Sequence, residues 1–155
     1  MQAAAKIHGP SAEPSKIREM RLGANWFIWV AIFSVINTFI VFFFPDLPKL
    51  FWALGMTQYV DANVTFANAG AQQLSGLAIN LGIAGVFAAF GYLARKGNDV
   101  AFIVGMFLYL FDTVVALGYR DFFGVGFHLL AIFFMFKGLL GSRRRYDPSV
   151  DETGA

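Results

Sequence analysis

VAFIVGMFLYLFDTVVALGYRDFFGVGFHLLAIFFMFKGLL, residues 100–140, consists of two long apolar runs hinged on the polar turn Tyr119-Arg120-Asp121. Each run is close to the ~20 residues that cross a bilayer at ~1.5 Å per residue. So short a connection returns the second helix alongside the first, which makes the stretch a transmembrane hairpin. Within the runs, nearer the turn than their far ends, stand Asp112 and His128, each eight residues from Arg120. Helices related by that turn carry the two side chains at matching depth.

Two further runs precede the hairpin, at about residues 26–44 and 74–94, and Pro45 stops the first. Four spans fit the composition. The 155 residues are 57% hydrophobic and only 14% charged, whereas a soluble domain carries about 25% charge. The expected fold is therefore an all-α membrane protein, an antiparallel bundle of four transmembrane helices. Its parts are an N-terminal arm at 1–24, a helical domain at 25–141 and a basic, then acidic, tail at 142–155. Within the domain an outer loop occupies residues 45–73.

Basic residues orient the bundle. Lys6, Lys16, Arg18, Arg21, Arg95, Lys96, Lys137, Arg143, Arg144 and Arg145 fall on one side of this topology, and Lys49 and Arg120 on the other. Cytoplasmic segments retain Lys and Arg, so both termini and the loop near Lys96 are expected in the cytoplasm, with the long loop outside. In that loop residues 47–54 are apolar but too short to span. They are read as a helical turn lying in the interface, anchored by Trp52 and Tyr59. Asn63-Val64-Thr65 matches a glycosylation acceptor, a three-residue signal read here as an ordinary loop.

A polar side chain inside hydrocarbon needs a partner or a purpose. Asn37 lies eight residues before Pro45, and Asn80 seven after Gln73. Asn37, Asn80, Asp112 and His128 are therefore expected to form one polar layer, ~10–12 Å below the outer boundary. Such a layer serves either as packing glue, with Asp112 and His128 satisfying each other, or as a proton-linked site. Small residues favour packing: Ala84 with Ala88 and Gly85 with Ala89 repeat at four-residue spacing. On the last run Gly124, His128, Ala131, Met135 and Gly138 share a face expected to look inward.

Several chemistries are disfavoured. The chain has no cysteine, which removes disulfides, thiolate metal sites and thiol nucleophiles. Bis-histidine haem ligation needs two membrane histidines, and His8 lies in the arm. No H-E-x-x-H, G-x-S-x-G or phosphate-loop motif occurs, so no cofactor, metal site or enzyme activity is expected. The net charge of +2 offers nothing to nucleic acid.

The motif order resembles an uncharacterised family of small bacterial four-helix integral membrane proteins. The resemblance rests on Ala24-Asn25-Trp26-Phe27, Gly55-Met56-Thr57-Gln58-Tyr59-Val60-Asp61-Ala62 and Gly91-Tyr92-Leu93-Ala94-Arg95-Lys96-Gly97. It continues through Ala101-Phe102-Ile103-Val104-Gly105-Met106, Asp112 and Asp121-Phe122-Phe123-Gly124-Val125-Gly126-Phe127-His128, covering most of residues 24–140. It implies a bacterial inner-membrane setting and transfers no catalytic residue. Small multidrug exporters also have four short helices, but their first-helix Glu is missing here. The leading expectation is an accessory, assembly or scaffold component whose partners are the lipid bilayer and either itself or another membrane protein. The alternative is a proton-linked channel or transporter acting as a homo-oligomer through Asp112 and His128.

Overall fold

A computed structural model describes residues 15–44, 54–61, 63 and 71–143. These form α1 (Ser15–Phe43), α2 (Gly55–Val60), α3 (Ala71–Arg95), α4 (Asp99–Gly118) and α5 (Phe122–Arg143). All but α2 are long and apolar enough to cross a membrane. Residues 47–53, Trp52 among them, the Val64-Thr65 part of the acceptor pattern, and residues 1–14 and 144–155 lie outside the described set.

Local chemistry explains the turns. Gly97 adopts φ 83° and closes α3 in the left-handed conformation that glycine tolerates best. Asn98 then caps α4, its side-chain oxygen accepting from the Ala101 N–H at 3.1 Å. At the opposite turn Arg120 has φ 57°, and the Asp121 carboxylate accepts from the Gly124 N–H at 2.8 Å, capping α5.

Helix α1 begins at Ser15 rather than near Trp26, so part of the expected arm is helical. The reason is burial: Met20 and Ala24 continue the inward stripe of Phe27, Val30 and Ala31. A Cβ on Gly23 would land on the Gly138 backbone, and one on Gly138 would land on the Gly23 Cα. These two glycines therefore set how closely α1 and α5 approach. Gly91 meets α1 at Phe27 and Ile28, and Gly105 lies against the Phe27 ring. Phe27 is fully buried, with its ring 6.0 Å from Phe102 and 6.5 Å from Phe90. Packed neighbours run in a ring: α1 touches α3 and α5, and α4 touches the same two.

The molecule buries polar side chains beside its apolar core and exposes large apolar ones. Phe107, Phe122 and Phe123 are 69%, 73% and 75% exposed, while Asn80, Asp112 and His128 are essentially inaccessible. Water would penalise that arrangement and hydrocarbon rewards it. The chain is a multi-pass helical membrane protein on those grounds.

Candidate functional site

The interior has two halves. Near Phe27 and Phe102 it is glycine and aromatic, and toward the turn at Arg120 it becomes polar. The polar half is organised by α2, which packs against α3 and α4. Gly55 permits the approach, because a Cβ there would stand 2.7 Å from the Asp112 carbonyl oxygen and 2.8 Å from the Ala116 nitrogen. Leu54, Thr57, Gln58, Val60 and Asp61 are buried, and Tyr59 faces out.

A helix start leaves N–H groups without partners. Leu54 offers α2 no side-chain cap, and Asp112 of α4 supplies one from across the fold. Its Oδ2 accepts from the Gly55 N–H and its Oδ1 from the Met56 N–H, both at 2.7 Å. The same Oδ2 lies 2.8 Å from His128 Nε2. His128 Nδ1 is 2.7 Å from the Gly124 carbonyl oxygen, four residues back along α5.

This geometry counts the protons. A carbonyl only accepts, so Nδ1 carries a hydrogen. Nε2 and Oδ2 at 2.8 Å then require one proton between them. Asp112 and His128 together are thus electrically neutral, which lets them lie in a low-dielectric interior. Tyr109 stacks on the imidazole at 4.5 Å and 12°.

Two more amides join α2 to the bundle. Asn80 Nδ2 donates to Asp61 Oδ1 at 2.8 Å, and Gln58 Nε2 to Asp121 Oδ2 at 3.1 Å. The expected four-residue layer therefore resolves into separate partnerships: Asp112 meets His128, and Asn80 meets α2. Asn37 is buried, and its Oδ1, like Gln58 Oε1, Asn80 Oδ1 and Ser34 Oγ, has no hydrogen-bond partner among the described residues. Of the small residues on α3, Ala84 is buried and Ala88 partly so, while Gly85 and Ala89 are exposed. Gly124, Ala131, Met135 and Gly138 are buried with His128.

Sequence reasoning missed Gly55, Gln58, Asp61, Asp121 and Tyr109 as members. A signal existed for α2, since Leu54, Thr57, Gln58 and Asp61 recur at helical spacing. Tyr109 was also legible, three residues before Asp112 and so on its face. No cluster of three or more His, Cys, Asp or Glu side chains arranged to hold a metal occurs among the described residues. Asp112 also reaches the wall of a cleft of about 180 Å³ between α3 and α4, lined by Met56, Ile83, Phe87 and Phe111. No protein-family model matches the chain, and no curated protein or solved structure matches it.

Proposed function

We propose that the chain is a non-enzymatic accessory, assembly or scaffold component of a bacterial inner membrane. In this reading it is an antiparallel bundle with both termini cytoplasmic. The observation that carries it is the saturation of the polar pair. Both His128 nitrogens and both Asp112 oxygens are engaged within the chain. Side chains so occupied hold α2 in place rather than await a substrate. Contacts such as Gly23 with Gly138, Phe27 with Phe102, and Phe87 with Tyr109 support the antiparallel order. The one-sided distribution of Lys and Arg supports the orientation.

Two measurements test these points. Affinity purification in mild detergent is expected to recover a stoichiometric membrane-protein partner, or the chain itself as an oligomer. Pure protein in liposomes is expected to pass no protons. The cleft beside Asp112 favours the second reading, a proton-linked oligomer. A proton flux lost in a folded Asp112→Asn variant would establish that reading and end ours, since an amide cannot carry protons.

Orientation is tested by single cysteines in a chain that has none. Tyr119 and Lys96 are exposed turn residues, so substituting them disturbs no buried contact. Tyr119→Cys is expected to react with an impermeant maleimide on intact cells, and Lys96→Cys only after lysis. The reverse pattern would invert the topology.

A further inference from the structure

The outer face of the α1–α5 seam has the layout of a phospholipid. On α1, Arg18, Leu22, Trp26, Trp29 and Phe33 recur at three- and four-residue spacing, one stripe with a cation at its head and apolar groups below. Arg18 and Lys137 rim a cavity of about 300 Å³ whose floor is Leu22, Gly23 and Phe134. A trough of about 330 Å³, lined by Trp26, Trp29, Phe33 and Phe127 with Asn25 at its wall, follows it. Leu22 belongs to both cavities, and Trp26 stacks on Phe134 at 4.8 Å and 4°, joining their walls.

We propose that this seam binds an anionic glycerophospholipid, with its phosphate between Arg18 and Lys137 and one acyl chain in the aromatic trough. Both cations are exposed, Arg18 in the first turn of α1 and Lys137 six residues before the end of α5 with its ammonium 5.4 Å over the Phe133 ring, and basic pockets between membrane helices suit phosphate. From Arg18 to Phe33 the stripe runs ~22 Å, more than the ~15 Å depth of one hydrocarbon leaflet. The close approach of Gly23 and Gly138 closes the seam behind the ligand, which makes it a groove rather than a slot. Glu19 also lines the head cavity. Its carboxylate accepts from headgroup hydroxyls and repels a headgroup carboxylate, so phosphatidylglycerol is preferred over phosphatidylserine. The site depends on the chain lying in a membrane, but not on which leaflet or on the scaffold role.

The tryptophans in the trough supply the readout. The full chain in dodecyl maltoside is titrated with phosphatidylglycerol brominated on its acyl chains, and separately with the matching brominated phosphatidylcholine. Fluorescence quenching is expected at a mole fraction of phosphatidylglycerol lower by at least about five-fold. Arg18→Gln with Lys137→Gln is expected to remove the preference, each cation contributing roughly five-fold. Arg95→Gln with Lys96→Gln, equal in charge but on α3 and its turn, should retain it. Both pairs are exposed, and circular dichroism checks that the helices persist. Equal quenching by the two lipids, a preference surviving in the Arg18/Lys137 variant, or an equal loss in the Arg95/Lys96 variant would each overturn the site. Displacement of the lipid by millimolar inorganic phosphate alone would also overturn it, as the mark of a simple anion site without a chain-binding trough.

Discussion

Replacing His128 with leucine is expected to destabilise the protein by about 3–5 kcal/mol, the cost of stranding a buried charge without its partner. Asp112 would keep its bonds to Gly55 and Met56 but lose the proton that neutralises it. Asp112→Asn should cost less, about 1–3 kcal/mol. An asparagine amide can donate to His128 Nε2 while its oxygen accepts from Met56, but the nitrogen then faces the Gly55 N–H, donor against donor. Leucine at both positions removes the charge problem and leaves two α2 N–H groups uncapped. That double variant should be more stable than His128→Leu alone, yet release α2. Unfolding in mixed micelles gives the energies, and hydrogen exchange at residues 55–60 reports the release. A double variant less stable than His128→Leu would contradict the account, as would unchanged exchange in α2.

The helix contact at Gly23 and Gly138 should be equally unforgiving. Gly138→Leu would drive a side chain into the Gly23 backbone and the Phe102 ring, which lies 2.9 Å from where its Cβ would stand. A backbone cannot step aside as a flexible side chain can, so α1 and α5 must separate. Overpacking typically costs about 1–3 kcal/mol, and a contact between two backbones belongs at the upper end or beyond. Gly85→Ala serves as the control, because a Cβ there meets nothing within 4 Å. It should be neutral, or stabilising by up to about 1 kcal/mol through helix propensity. Thermal unfolding in detergent distinguishes the two. A Gly138→Leu protein melting with the wild type would show that this crossing does not hold the bundle together.

Both predictions turn on contacts of different legibility. The number of spans was legible in the residues alone, because apolar run length against bilayer thickness leaves little freedom. The sequence also paired Asp112 with His128, since a three-residue turn transmits register from one helix directly to the next. Periodicity likewise identified the inward face of α5, Gly124 through Gly138. Tertiary structure decided what the pair does. Gly55 donates to a carboxylate 57 residues away, and hydropathy does not record which interior surface a loop folds back upon. Asn80 shows the same limit. Its place within a span was readable, but its partner Asp61 caps a helix too short to announce itself by length. In a membrane the hydrophobic effect separates lipid from water and says little about which helix meets which. That choice falls to close packing and hydrogen bonds, so the meeting of Gly23 with Gly138 and the docking of α2 exist only once the chain has folded.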